Sequence, residues 1–307
     1  MKTNNKENSG KTVLITGASN GFGMEFARLF AKDGFNLILV ARSTERMRKL
    51  GYSLQEQHQL EHVCIITSDL TRPEAPREVY EEVKEAGLQV DILVNNAGAG
   101  VHGMFFDTDL EREKAIIQLN VTTPVELTKL FLKEMKQRNS GKILNLASVV
   151  SFMPSPLMAV YGASKAFILS FSEALSNELK DTEITVTALC PGASNTMFFR
   201  RAGAAHTRAA NGSLSEPEEV AREGYEALMK GETRVVSGLA NKLQTASTNF
   251  LPDAALAATM RYQMEEPNLE DVSSYEPEPP IAAETTAPSN TTASEPRDQE
   301  PPAIHNP

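Results

Sequence analysis

The chain has 307 residues, 41% hydrophobic and 23% charged, a composition that excludes a wholly disordered, collagen-like or repeat-only polymer. Its net charge of −10 argues against a nucleic-acid-binding surface, and the charge is uneven: residues 265–307 hold one base and ten acids, a net −9, which leaves −1 for residues 1–264. The two cysteines, Cys64 and Cys190, stand far apart with no CxxC or histidine spacing around them, so neither a disulfide framework nor a zinc site is expected.

Residues 1–10 are polar, lack the apolar segment of a signal peptide, and read as a flexible N-terminus. The first strand is expected at 12–16 (TVLIT). Directly behind it comes Thr16-Gly17-Ala18-Ser19-Asn20-Gly21-Phe22-Gly23, leading into a helix over 24–32. A glycine-rich turn between strand and helix lets the backbone approach a pyrophosphate, whose charge the helix N-terminus favours. The second strand, 36–40 (NLILV), runs into Ala41-Arg42-Ser43 with no acid before Glu45. An acid there would bind the ribose 2′-hydroxyl of NAD. Arg42 and Ser43 suit the 2′-phosphate of NADP(H), the preferred cofactor, with NAD(H) as the alternative.

Further strands are expected at 63–67 (VCIIT), 91–94 (DILV), 142–147 (KILNLA), 184–190 (ITVTALC) and 234–237 (RVVS), with helices over 73–86, 110–138, 161–179 and 216–230. Runs this uniformly apolar suit strands buried on both faces. Their alternation with amphipathic helices predicts an α/β fold, a doubly wound parallel sheet (Rossmann fold) of about seven strands with helices on both faces. Ser215 is expected to cap the 216–230 helix, with Pro217 in its first turn. Residues 239–264 read as one or two helices interrupted at Pro252. The domain is expected to span 11–264; residues 265–307, with nine of the 17 prolines and one aromatic, read as a disordered acidic tail. No apolar run is long enough for a membrane span, so a cytoplasmic protein is expected.

Tyr161-Gly162-Ala163-Ser164-Lys165 opens the 161–179 helix, and an i, i+4 spacing puts Tyr161 and Lys165 on one face. An ammonium held near a phenol favours the phenolate, so Lys165 is expected to lower the Tyr161 pKa and fit Tyr161 for acid–base work near neutrality. Ser148 stands just past the fifth strand, where open α/β sheets place their ligand crevice.

With Asp69-Leu70 after strand three, Asn95-Asn96-Ala97-Gly98 after strand four, Asn120, and Pro191-Gly192 followed by Thr196, these motifs make the sequence resemble the short-chain dehydrogenase/reductase family, single-domain branch, over about residues 11–264. The resemblance implies that Tyr161 is the general acid or base, that Lys165 assists it and holds the nicotinamide ribose, and that Ser148 binds the substrate carbonyl. It implies that Asn120 holds a water relaying protons to Lys165. For the cofactor it implies Gly17, Ser19, Asn20, Gly21, Phe22 and Gly23 at the pyrophosphate turn, and Arg42 and Ser43 at the 2′ position. Asp69 and Leu70 would meet the adenine, Asn96, Ala97 and Gly98 the adenosine ribose side, and Pro191, Gly192 and Thr196 the nicotinamide end. Asn20 and Phe22 depart mildly from the family, which more often has Ser and Ile there.

Substrate contacts are implied for Ser148, Tyr161, Phe152 and Phe198, with Met153, Met158, Met197 and Phe199 as further apolar wall and Arg200, Arg201 and Arg208 facing any acidic group. The five histidines lack paired-ligand spacing, so no metal is expected. Pairing through 110–138 and 161–179 into a homodimer or homotetramer is also implied. The function expected is NADP(H)-dependent hydride transfer to or from a small-molecule carbonyl or secondary alcohol. The alternative is a nucleotide-binding scaffold or sensor whose acidic tail binds partners. A third reading, 239–264 as a membrane-surface helix, is weakened by its low lysine content.

Overall fold

Seven short apolar segments pair into one wholly parallel sheet in the computed structural model, which describes residues 8–248 and 250–267. They are β1 (Thr12–Thr16), β2 (Asn36–Ala41), β3 (Val63–Thr67), β4 (Ile92–Asn95), β5 (Gly141–Leu146), β6 (Ile184–Cys190) and β7 (Arg234–Val236), in the order β3-β2-β1-β4-β5-β6-β7. Because successive side chains of a strand point to opposite faces, each strand feeds two cores. Val13, Ile15, Leu37 and Leu39 pack on α1 (Gly21–Lys32), α2 (Thr44–His58) and α9 (Pro217–Lys230). Leu14, Ile38, Val40 and Leu93 pack on α3 (Ala75–Glu85), α5 (Thr123–Arg138) and α6 (Ala159–Glu178). Each fully buried side chain of this size contributes about 1.5–3 kcal/mol. The expected doubly wound α/β sheet is the fold.

The helices start where polar side chains can satisfy free N–H groups. Asn20 Oδ1 accepts from Gly21 N at 2.6 Å to open α1, and Asp109 Oδ1 accepts from Arg112 N at 2.9 Å to open α4 (Leu110–Ile117). Ser215 does not cap α9. The cap position is Glu216, while the Ser215 backbone is engaged with the segment after β6: its N–H donates to Ala193 O at 3.0 Å and its carbonyl accepts from Asn195 N at 3.0 Å. The single helix expected over 110–138 is divided into α4, a π-helical turn at Gln118–Thr122, and α5. Residues 239–264 form two helices, α10 (Leu239–Ser247) and α11 (Asp253–Met264), with Pro252 at the cap of the second. Two short helices, α7 (Phe198–Ala202) and α8 (Arg208–Asn211), are too brief to show periodicity in sequence.

Part of each expected flexible end is engaged. Asn8 Nδ2 donates to Asp33 O at 3.2 Å, and the Glu265 carbonyl accepts from Arg208 N at 3.1 Å. Residues 1–7 and 268–307, which include the rest of the expected flexible terminus and acidic tail, lie outside the described residues. No helix among the described residues is long and apolar enough to cross a membrane.

Candidate active site

The strand order reverses at β1, whose neighbours are β2 on one side and β4 on the other, and a crevice opens beyond the C-terminal ends of these strands. Two turns meet there. Thr16 Oγ1 accepts from the N–H groups of Asn96 and Ala97, both at 3.0 Å, and Asn96 Nδ2 donates to Thr16 O at 2.8 Å. Gly17 lies at φ +67°, a conformation that side chains with a Cβ rarely adopt. Gly23 lets α1 close on this junction, because a Cβ there would lie 2.4 Å from Gly17 O and 2.5 Å from Asn96 Nδ2. Gly23→Ala is therefore expected to cost about 1–3 kcal/mol through overpacking. Thermal denaturation checks this, and an unchanged melting temperature would show that the junction tolerates the methyl.

The cleft measures about 1250 Å³, above the roughly 300–1,000 Å³ typical of one small-molecule site, so it has room for two molecules side by side. Gly17, Ser19, Asn20, Gly21 and Phe22 line one end, joined by Arg42 and Ser43 from the end of β2. Asp69, Leu70, Asn96, Ala97 and Gly98 continue that wall. Pro191, Gly192 and Thr196, beyond β6, lie along the middle, and the far end is apolar, with Met158, Phe198, Phe199, Met260 and Met264.

On the floor between the ends stand Ser148, Tyr161 and Lys165. Ser148 follows β5 and caps a 3-10 turn at Val149–Phe152: its Oγ accepts from Val150 N at 3.3 Å and donates to Pro191 O at 3.4 Å. Tyr161 and Lys165 lie one turn apart at the start of α6, with the ammonium 5.9 Å from the centre of the phenol ring. Lys165 Nζ donates to Leu146 O at 2.6 Å. Asn120, in the π turn, is buried. Its Oδ1 accepts from Ala99 N at 3.0 Å, and its Nδ2 donates to Ala99 O at 2.9 Å and Ser164 Oγ at 3.0 Å. A Cβ placed on Gly98 would lie 3.4 Å from both Asn120 Oδ1 and Lys165 Nζ, so the two side chains converge on one point.

The electrostatics overturn one expectation. Burial raises the Tyr161 pKa to about 12, outweighing the Ser148 hydroxyl, which acts downward. Burial also pulls Lys165 itself down to about 8. At neutral pH the site holds a protonated phenol, a proton donor, beside a protonated amine.

The short chain dehydrogenase family model matches residues 11–206. The chain belongs to the short-chain dehydrogenase family. Human 17-beta-hydroxysteroid dehydrogenase type 3 is 36% identical over 195 residues, which cover 62% of this chain and 61% of that protein, less than two-thirds of its length. A short-chain dehydrogenase from Sphingobium yanoikuyae, solved in complex with NADPH, superposes with a TM-score of 0.70 at 31% identity, covering 80% of this chain and 97% of that one. A short-chain dehydrogenase/reductase from Burkholderia phymatum, solved in complex with NAD, gives 0.70 at 25% identity over 78% and 93%.

Most of the residues picked from the sequence are brought together, with three qualifications. Gly23 and Asn120 stand behind the cleft wall and support it. Phe152 and Met153 are not in the cleft. The 3-10 turn has about three residues per turn, so Val149 and Val150 meet the cleft while Phe152 is carried round onto Ile168, Cys190 and the Arg234 guanidinium, 5.5 Å from its ring. Among the arginines, Arg201 and Arg208 line the cleft but Arg200 does not, and Arg208 is held over the Tyr262 ring at 4.1 Å.

Two polar lining residues at the glycine-turn end were not picked out. Arg46, on the first turn of α2, joins Arg42 at the β2 end, and the Arg42–Arg46 spacing is the signal that could have found it. Ser68, beside Asp69, carries a buried Oγ with no partner among the described residues. No sequence pattern marks it.

Proposed function

We propose that this dehydrogenase is an NADP(H)-dependent carbonyl reductase or secondary-alcohol dehydrogenase. The observation that carries this is the meeting of Ser148, Tyr161 and Lys165 on the floor of a cleft whose one end suits a dinucleotide and whose other end is apolar.

A nicotinamide dinucleotide fits the glycine-turn end. The Ser68 Oγ is a buried polar atom with no partner among the described residues, and two guanidinium groups, Arg42 and Arg46, line the cleft at the β2 terminus while Glu45 does not. Gly17, Ser19, Asn20, Gly21 and Phe22 would hold the pyrophosphate, with Gly23 supporting them. Arg42, Ser43 and Arg46 would hold the 2′-phosphate. Ser68, Asp69 and Leu70 would meet the adenine, Asn96, Ala97 and Gly98 its ribose, and Pro191, Gly192 and Thr196 the nicotinamide end. When bound, this group supplies or accepts a hydride.

The chain's own residues handle the proton. Tyr161 donates its phenolic proton to the carbonyl oxygen during reduction. Ser148 donates a hydrogen bond to the same oxygen, where negative charge develops. The Lys165 ammonium stabilises the phenolate left behind, and Asn120, fixed by Ala99 and Ser164, positions the water that returns a proton to it. The apolar far end suits a lipid-like ketone or alcohol, which accords with the name of the human relative.

Loss of NADPH absorbance with a panel of ketones tests the proposal. Nucleotide binding with no turnover of any carbonyl would favour a nucleotide-binding sensor instead. For cofactor choice, Arg42→Ala is expected to weaken NADPH binding about tenfold to hundredfold, as expected for a lost charge-assisted hydrogen bond, while sparing NADH. Equal effects on both cofactors would remove Arg42 from the 2′-phosphate site.

A homodimer or homotetramer accords with the exposed Leu110 and Ile117 on α4 and Phe167 on α6, helices that pack together. Light scattering that returned the mass of a single chain would reject it.

A further inference from the structure

The loop after β4 packs against the apolar end. At Gly100 two side-chain tips come close: a Cβ there would lie 2.7 Å from Met158 Cε and 2.9 Å from Phe198 Cζ, so they would have to shift. Those two side chains therefore reach across the position that a residue with a Cβ would fill. Phe198 rests on the Tyr161 ring, with centroids 4.9 Å apart and planes tilted by 44°, and its other neighbour is Phe199 at 5.7 Å.

The arrangement is held by backbone hydrogen bonds on both sides of the loop. His102 N donates to Ala202 O at 2.9 Å, tying the loop to the end of α7, and Gly103 N donates to Leu157 O at 2.9 Å, tying it to the residue before Met158. Phe198 N donates to Thr196 Oγ1 at 3.3 Å. Gly100, Met158 and Phe198 are thus set relative to one another by the main chain.

We propose that Gly100, Met158 and Phe198 form a size filter over Tyr161, selecting ketones with one slender flank. The inference rests on the carbonyl-reduction reading above and adds the shape of the substrate. A carbonyl whose oxygen takes the Tyr161 proton has one flank beside the Phe198 ring. Met158 and Phe198 already occupy the space next to Gly100, so that flank must be narrow. The opposite flank faces Phe199, Met260 and Met264, where methionine side chains adapt to varied shapes.

The test compares kcat/KM with NADPH for acetophenone, which has a methyl flank, and benzophenone, which has two phenyl flanks. The wild-type protein is expected to prefer acetophenone. Phe198→Ala raises the benzophenone-to-acetophenone ratio by about tenfold or more, the range that pocket methylenes command, and the conservative Phe198→Leu raises it less. Gly100→Ala alone lowers acetophenone turnover by pushing Phe198 from its place. Adding Phe198→Leu to Gly100→Ala restores part of it, a rescue that a merely structural glycine would not give.

NADPH binding, followed by its fluorescence, is measured on every variant. Equal wild-type use of the two ketones, or a ratio unchanged in both Phe198 variants that still bind NADPH, overturns the filter and leaves the reductase reading standing. Nucleotide binding with turnover of neither these nor any other ketone overturns the reductase reading and the filter with it.

Discussion

Tyr161→Phe is expected to reduce carbonyl turnover by about 10²–10⁴-fold, the usual worth of a positioned general acid, while leaving NADPH binding within a few-fold of wild type. The phenol lines the cleft and, with its pKa raised by burial, keeps its proton at neutral pH. Removing its oxygen leaves the ring in place against Phe198, so packing changes little. With its pKa at about 12, Tyr161 stays protonated across the working range and does not limit reduction below that pH. The limit comes from Lys165: as pH rises through about 8 the ammonium is lost, the phenolate formed in the reaction loses its stabilising charge, and reduction falls. Single-turnover kinetics with NADPH from pH 6 to pH 10 check both parts. Full activity of the Phe variant, or a flat profile through pH 8, would remove the corresponding residue from its role.

The second large effect concerns stability. Lys165 is buried, and its pKa falls from 10.5 to about 8 in the folded protein. Between those values the unfolded chain binds more protons than the folded one, so wild-type stability rises with pH across that window. Below it, the buried ammonium costs the fold up to about 3 kcal/mol, partly offset by its hydrogen bond to Leu146 O. Lys165→Met keeps the side-chain length and removes the charge. It is expected to be inactive and more stable than wild type by about 1–2 kcal/mol at pH 7, an advantage that shrinks as the pH approaches 10. Urea denaturation at the two pH values checks it. A gap that widened with pH would mean that burial does not hold down the Lys165 pKa.

What the sequence made legible follows the distance over which each feature is encoded. The strands are local apolar runs, and all seven were expected within a residue or two. The catalytic set was legible because an i, i+4 pair such as Tyr161 and Lys165 shares a face wherever it occurs in a helix. Features that depend on the direction a backbone leaves a turn were not. Phe152 and Val150 look equivalent in sequence, yet the 3-10 turn capped by Ser148 sends one away from the cleft and the other into it. The raised Tyr161 pKa likewise comes from burial, which the sequence does not display. Ser68 is an ordinary strand-end serine until its hydroxyl is found buried without a partner among the described residues.

The π turn at Gln118–Thr122 carries one residue more than a regular helix needs. A chain one residue shorter there would run as an unbroken α-helix into α5, with better hydrogen bonding and a higher intrinsic helix stability. Asn120 would then be rotated by about 100°, away from Ala99 and Ser164 and out of reach of the point it shares with Lys165. Redesign guided by thermostability alone would favour that deletion, and so would erase the irregularity that gives Asn120 its place beside the reacting groups.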